Sequence, residues 1–460
     1  MTLTWTPEQV LGLAPDDASR KNASGLANPR RWLRLSRHET QDVSVLWGEL
    51  HGSGSDPYRC QVDLNGPAFK CSCPSRKLPC KHALGLFLLY AGQPGIFEVG
   101  APPDWVTLWL MKRADQSNRR AARVEGGGDE NPSTASVPGP KESSTAGKAR
   151  RAAERDRKIR AGLDDLETWL SDLLRQGLAS AQTQPRSFWE TTSARLVDAQ
   201  APGLARMVRK MPDLAASGEG WQERLLDQTA RLYLVVEGYR RIQSLPEEHQ
   251  ADLRALVGIT HKQEELLDAP SVQDTWLVMG RDLEEESGLR TLRTWLIGQS
   301  SGRAALILQF AAQGASLDLS LSPGTALPAE LVFYPGAYPL RAILRERGSL
   351  RSLPAEIPGC ATWLEVSAAY AQALAAFPWI ERCPVVINHV RALVENGEWA
   401  LYDAENRRAP LARNFAHGWT LLALSGGSPM GVFGEWNGEC LLPLSAWAGG
   451  QFIGFRPRME

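Results

Sequence analysis

The feature that most constrains this chain is a cluster of cysteine and histidine residues at positions 71–82, where the sequence reads CSCPSRKLPCKH. The spacing is Cys-x-Cys, six further residues, and then Cys-x-His. Zinc prefers tetrahedral coordination by thiolate and imidazole, and four protein ligands make a closed, structural site. We therefore predict one structural Zn²⁺ ion, bound by Cys71, Cys73, Cys80 and His82.

The local pattern around the cluster predicts a hairpin followed by a helix. Residues 58–64 alternate between apolar and polar side chains, which is typical of a half-buried strand. A turn near Gly66 and Pro67 would then bring Cys71 and Cys73 to the end of a returning strand. Residues 80–90 predict a helix, and ligands two residues apart diverge on a regular helix. Cys80 and His82 must therefore converge at its start, where the helix dipole favours thiolates.

The same alternation places Cys60 on the apolar face of the predicted strand. We interpret Cys60 as a buried free cysteine that packs as a small hydrophobic residue. The helix at 80–90 is apolar nearly all round, which is typical of a helix pressed against other elements. Such a helix is a poor candidate for reading a nucleic-acid groove.

The cluster and its surroundings resemble the SWIM-type zinc finger, in particular that of bacterial SWIM proteins. The resemblance rests on Trp47-Gly48, HGSGSDPY at 51–58, GPAFK at 66–70 and CSCPSRKLPCKHALGL, and it covers about residues 40–92. It implies a β-hairpin and a helix stapled by zinc. Members of the family are regarded as binding modules for DNA or protein, so the resemblance implies binding without choosing the partner.

Length and composition predict three parts, because 460 residues exceed the size at which single cores stop growing. We predict an α+β protein: a small zinc-stapled hairpin/helix module, a helical middle segment and a β-rich C-terminal domain. The predicted boundaries are an N-terminal domain at 1–111, a flexible basic linker rich in Gly, Pro and Ser at 112–154, a helical region at 155–272 and the β-rich domain at 273–460. The linker follows from residues 125–149, where Val137 is the only large apolar residue.

Several local expectations follow for the β-rich part. The alternating SLDLSL at 316–321 predicts a strand, and residues 363–377 predict a helix. Asn396-Gly397 and Asn437-Gly438 each predict a hairpin with a type I′ turn, which needs positive φ at both positions. Asp282 and the acidic residues 284–286 are interpreted as an exposed turn and not as a catalytic cluster.

The charge of the chain does not decide whether its partner is a protein or a nucleic acid. The formal net charge is −1, whereas proteins that coat nucleic acid are usually strongly basic. Four residues near the ligands are candidate contacts for nucleic acid or a partner: Lys70, Arg76, Lys77 and Lys81. A second basic group lies between positions 18 and 37 and could contact phosphates if both groups met on one face. A solvated surface is the simpler interpretation.

We expect a cytoplasmic protein, because no secretory signal or membrane span is visible and the cysteines cluster as in a metal site. No phosphate-binding loop, nucleophile elbow or His-Glu-x-x-His pattern occurs, so we expect no enzyme. The leading hypothesis is a non-catalytic interaction protein whose zinc finger docks a protein partner. A DNA-binding accessory factor is the alternative, and an enzyme in the C-terminal half is a lesser one.

One experimental expectation also follows from the sequence. Cys80→Ser should release the metal and unfold residues 40–92, because metal binding and folding are coupled. The parts that follow the predicted linker should stay folded.

Overall fold

The computed structural model describes residues 5–40, 43–51, 56–75, 77–113, 145–259, 263–286, 289–312 and 317–455. The chain is a mixed α+β protein with the three predicted parts in the predicted order. Short 3₁₀ helices occur between the larger elements, at Pro29–Arg31, Pro94–Ile96, Leu178–Thr183 and Ile242–Ser244.

The first part, residues 5–113, is called the zinc module below. Its helices are α1 Pro7–Leu11, α2 Asp17–Ser24, α3 Lys81–Gly92 and α4 at 104–113. Its strands are β1 Trp32–Glu39, β2 Ser44–Leu50, β3 Tyr58–Asp63, β4 Ala68–Cys71 and β5 Glu98–Val99. They form one sheet in the order β4-β3-β2-β1-β5, antiparallel except for β5 beside β1.

Helices cover both faces of this sheet because its central strand is apolar on both sides. On β2, Leu46 and Leu50 belong to a core that also contains Phe87 of α3. Val45 and Trp47 point the other way and pack with Trp109 of α4. The alternation of side chains along a strand therefore gives β2 two buried faces.

The helical middle part begins earlier than the sequence predicted. Helix α5 starts at Thr145, and α4 covers residues 104–113, so both ends of the predicted linker at 112–154 are helical. Residues 145–154 read TAGKARRAAE. Alanine, arginine and lysine are strong helix formers, so this basic stretch favours a helix and not a flexible linker. Residues 114–144, the rest of the predicted linker, lie outside the described residues.

Helices α5 to α10 surround one apolar core. This bundle consists of α5 Thr145–Gln176, α6 Arg186–Asp198, α7 Pro202–Arg209, α8 Met211–Ala215, α9 Trp221–Arg240 and α10 Glu247–Val257. Its core includes Leu166, Trp189, Leu225 and Val236, which recur on the inner faces at helical spacing. A short helix, α11 Gln263–Leu267, leads to the β-rich part.

The first five strands of the β-rich part close into a barrel. They are β6 Ser271–Glu286, β7 Leu289–Gly298, β8 Ala304–Ala312, β9 Thr325–Phe333 and β10 Arg341–Arg347. β6, β7 and β8 form an antiparallel meander, β10 runs parallel to β8, and β9 pairs with both β10 and β6. This closed five-stranded Greek-key arrangement is that of an OB-type barrel. The short strand β11 Arg351–Ser352 extends the sheet beside β9.

The remaining strands form a second, antiparallel sheet in the order β14-β13-β12-β15-β16-β17. Its elements are β12 Cys383–Glu395, β13 Glu398–Tyr402, β14 Arg408–Pro410, β15 Met430–Trp436, β16 Leu441–Ala448 and β17 Gln451–Gly454, with helices α12 Trp363–Ala376 and α13 Gly418–Ser425. The predicted helix at 363–377 is thus confirmed to within one residue.

Both predicted hairpins exist, but their turns differ. Asn396 and Gly397 both have positive φ, as a type I′ turn requires, and they join β12 to β13. Between β15 and β16 only Gly438 has positive φ, and the Asn437 side chain accepts hydrogen bonds from the next turn residues, Glu439 N–H and Cys440 N–H. The second turn is therefore not type I′.

Two predictions for this part were wrong. Residues 317–320 form no strand, because the Gln309 side chain bonds both backbone groups of Asp318 in place of a strand ladder. Asp282 and residues 284–286 lie in β6 and not in an exposed turn. Asp282 is buried next to Glu435 and Arg382, and burial, with Glu435 and Glu284 adding to it, raises its pKa to about 6.

Buried contacts join the zinc module to the barrel and the barrel to the C-terminal sheet. Val10 and Leu13 of the zinc module share a core with barrel residues such as Val278 and Leu327. The Gln9 side chain donates to the carbonyl of Gly324, and the Arg281 guanidinium donates to the carbonyl of Gly12. The outer face of the barrel packs in turn against the C-terminal sheet through a separate apolar cluster.

Candidate metal centre

The hairpin of β3 and β4 carries the first pair of cysteines. Antiparallel pairing places Cys71, the last residue of β4, directly opposite Cys60. Gly66 turns the chain at the hairpin tip with φ of +142°, a conformation that favours glycine. Cys73 follows two residues after Cys71, beyond the end of the strand.

The start of α3 carries the second pair. Cys80 is the N-cap of α3, and its sulfur accepts a hydrogen bond from the Ala83 N–H at 3.5 Å. His82 lies in the first turn and is buried, with its ring 5.2 Å from that of Tyr58. This geometry confirms that Cys80 and His82 converge where the chain enters the helix.

All four predicted ligands come together. The Sγ atoms of Cys71, Cys73 and Cys80 and a ring nitrogen of His82 lie within 4.8 Å of one another. Tetrahedral zinc with bonds of about 2.0–2.3 Å separates its donor atoms by roughly 3.3–3.8 Å. Three soft sulfur donors and one imidazole at this spacing fit a single structural zinc ion.

The thiols of the site are poor acids without a metal. The hydrogen bond with Cys60 and burial raise the pKa of Cys71, and burial raises that of Cys73. The hydrogen bond with Cys71 and burial raise the pKa of Cys80 to about 12. Since zinc binds thiolates, occupation of the site must release the protons of these thiols.

The basic residues proposed as contacts do not form one group. Lys77 and Lys81 lie beside the ligands on the loop and at the first position of α3, whereas Lys70 projects from the β4 face opposite to that of Cys71. The Lys77 ammonium is 2.7 Å from Asp16 and lowers the pKa of that carboxyl to about 2. Arg76 lies outside the described residues.

Helix α3 is buried along nearly its whole length, as its composition predicted. The residues from His82 to Leu89 are all buried between the sheet on one side and α1 and α2 on the other. Leu78, by contrast, is 54% exposed in the loop between Cys73 and Cys80. The exposed face of the finger is therefore its loop and not its helix.

Cys60 is the neighbour of the site that the sequence interpretation undervalued. It is fully buried, as predicted, but its sulfur lies 3.1 Å from that of Cys71. The signal was present in the sequence, because a hairpin centred between Asn65 and Gly66 pairs position 60 with position 71.

The comparisons with known proteins agree with this site. Residues 58–91 match the sequence model of the SWIM zinc finger, so the site belongs to that class of metal-binding module. Residues 154–257 match the SWIM-associated four-helix bundle domain, which here comprises α6 to α10 and most of α5. The two segments cover less than a third of the chain. No curated protein and no solved structure matches this chain.

One further finding concerns membranes. Among the residues that the structure describes, no helix is both long enough and apolar enough to span a bilayer.

Proposed function

We propose that this chain is a non-catalytic, cytoplasmic interaction protein whose structural zinc finger docks a protein partner. The observation that carries the proposal is the contrast between the buried helix α3 and the exposed side chain of Leu78. A finger that hides its helix has only its loop and the adjoining surface to offer a partner.

The loop is suited to docking because zinc ligands hold both of its ends. Cys73 precedes residues 74–79 and Cys80 follows them. A segment ordered before binding loses less conformational entropy when a partner binds. Leu78 supplies an apolar anchor, and Lys77 and Lys81 supply a charged rim, which is the usual arrangement of a protein interface. The complementary partner surface has an apolar pocket with acidic residues around it.

The proposal is tested with a photo-crosslinking amino acid placed at position 78 in cells. The matched control is position 108, because Leu108 belongs to the same module, is 58% exposed and lies on α4, on the other face of the sheet. Protein adducts at position 78 that are absent at position 108 would support docking through the loop. Equal adducts at both positions, or none at position 78, would overturn it.

A specific observation also supports the alternative, binding to nucleic acid. The ion pair between Lys77 and Asp16 places the zinc loop at the N-terminal end of α2. Exposed Lys21 lies on that helix, and exposed Arg30 and Arg31 follow it. Together with the loop, these residues would offer basic side chains that could contact successive phosphates.

Salt dependence separates the two candidates. Binding to DNA through these basic side chains should weaken steeply between about 50 and 200 mM salt, because each phosphate contact releases counterions. Exchanging Arg30 and Arg31 for alanine should flatten that dependence, while Arg186→Ala on the bundle serves as the control. If the protein does not bind DNA, or if loss of the two arginines leaves its DNA affinity unchanged, the alternative is eliminated.

A further inference from the structure

A fifth sulfur stands beside the four zinc ligands. Cys60 and Cys71 are direct neighbours across the β3–β4 pair, with their Sγ atoms 3.1 Å apart. The four ligands already complete a tetrahedral site, so Cys60 is not needed as a ligand. The thiol of Cys60 is therefore available for a reaction with its neighbour Cys71.

We propose that Cys60 and Cys71 are an oxidation-sensitive dithiol, in which a peroxide-class oxidant converts the two thiols into a disulfide and so removes Cys71 from the zinc site. The proposal rests on the zinc site and not on the docking function.

The backbone already has the geometry of a cross-strand disulfide. The Ser72 N–H donates to the carbonyl of Arg59 at 3.0 Å, which makes positions 59 and 72 a hydrogen-bonded pair. The adjacent pair, Cys60 and Cys71, is therefore a non-hydrogen-bonded pair, whose Cα atoms are about 4.5 Å apart in antiparallel sheets. Disulfides span Cα separations of roughly 4.4–6.8 Å, so no strand has to move.

The two sulfurs differ in access, and this difference assigns their roles. Cys60 is 0% exposed and faces the core, whereas Cys71 is partly exposed at the end of β4. Cys71 is thus the sulfur that an oxidant reaches first. Cys60 is the resolving thiol, because its sulfur already lies against that of Cys71.

The chemistry balances with peroxide as the oxidant. The Cys71 thiolate attacks a peroxide oxygen, the O–O bond breaks, and a sulfenic acid and hydroxide form. The Cys60 thiol then attacks the Cys71 sulfur, the S–S bond forms, and the S–O bond breaks. The hydroxyl leaves as water with the Cys60 proton, and the hydroxide is protonated by solvent. The two sulfurs together lose two electrons, which reduce the peroxide.

The consequence is a site with only three ligands, Cys73, Cys80 and His82. Loss of one thiolate weakens zinc binding, and loss of zinc frees the loop at 74–79. A thiol reductant reverses the change, because the disulfide prevents oxidation of Cys71 to the sulfinic acid, which thiols do not reduce.

The test uses the full-length, zinc-loaded protein and hydrogen peroxide. Zinc release is followed with a chromogenic chelator, and disulfides are mapped by mass spectrometry. Wild type should release its zinc, show a Cys60–Cys71 disulfide, and bind zinc again after addition of dithiothreitol. Cys60→Ala should lose both the disulfide and the recovery, and Cys71 should be found as the sulfinic acid.

Two further variants keep the test decisive. Cys60→Val fills the buried position if alanine destabilises the hairpin, and stoichiometric zinc in the reduced protein shows that either variant is folded. Cys440→Ser, far along the chain in the turn between β15 and β16, should behave as wild type. The proposal is overturned if peroxide releases no zinc, if the disulfide joins two of the zinc ligands, or if Cys60 variants recover as wild type does.

Discussion

Replacing Cys80 with serine should destabilise the barrel as well as the zinc module. From sequence alone we expected the parts after the predicted linker to be unaffected. The structure instead places Val10 and Leu13 of the zinc module in one core with β6 and β9 of the barrel. If the module unfolds, these two side chains no longer cover the barrel.

The magnitude follows from two contributions. Structural zinc supplies about 10–16 kcal/mol of binding free energy in finger peptides, which matches or exceeds the total stability of about 5–15 kcal/mol of an ordinary domain. Without zinc the module should therefore unfold. Burial of a Val or Leu side chain is worth about 1.5–3 kcal/mol, so loss of Val10 and Leu13 should cost the barrel at most roughly 3–6 kcal/mol.

Hydrogen exchange measured by mass spectrometry checks this prediction. A loss of 3–6 kcal/mol corresponds to a fall in protection of roughly two to four orders of magnitude in β6 and β9. Helix α9 is the internal control, because the core of the bundle contains no residue of the zinc module. Cys440→Ser is the control variant. Unchanged protection in β6 and β9 of zinc-free Cys80→Ser would show that the stability of the barrel does not depend on the folding of the zinc module.

Three other predictions concern protons and packing. Zinc loading should fall as pH drops from about 7 to 5, because metal and protons compete for the thiols, and dialysis with metal analysis measures it; constant loading would contradict this competition. Gly203→Ala should destabilise the bundle by more than about 1–3 kcal/mol, because the new Cβ would lie 1.9 Å from the Leu256 carbonyl oxygen. Gly92→Ala is the control, because its Cβ would meet nothing within 4 Å, and its stability should be nearly unchanged. Urea unfolding measures both variants. Glu435→Gln should cost about 3–5 kcal/mol in thermal unfolding by leaving two arginines without their shared carboxylate, and it should lower the pKa of Asp282 in a titration by NMR. A stable Glu435→Gln protein with an unchanged Asp282 would show that the network is not coupled.

The zinc site was predictable because its information is local. All four ligands lie within 12 residues, and metal chemistry limits which residue types and spacings can form a tetrahedral site. The same holds for the hairpin at Asn396-Gly397, where two residues determine the turn. The order of helical and β-rich parts was also visible, because periods of 3.6 and 2 residues persist over long segments.

Other features depended on residues far apart in the chain. The sequence predicts an exposed turn at Asp282, because nothing nearby in sequence shows that Glu435 and Arg382 will enclose this residue. SLDLSL alternates like a strand, yet one glutamine side chain occupies the backbone groups that a ladder would use. Closure of the barrel, through parallel pairing of β8 and β10, likewise joins segments that no local pattern connects.

The sequence alone thus predicts the four zinc ligands, the hairpin and helix that carry them, and the α+β order of the parts. These depend on neighbouring residues, whose relative positions the covalent chain restricts. The fold, in contrast, is needed to see that the zinc module and the barrel share a core and that Cys60 lies against Cys71. Burial and contact between distant segments depend on how the elements pack together, and periodicity along one chain records which face is apolar but not what covers it.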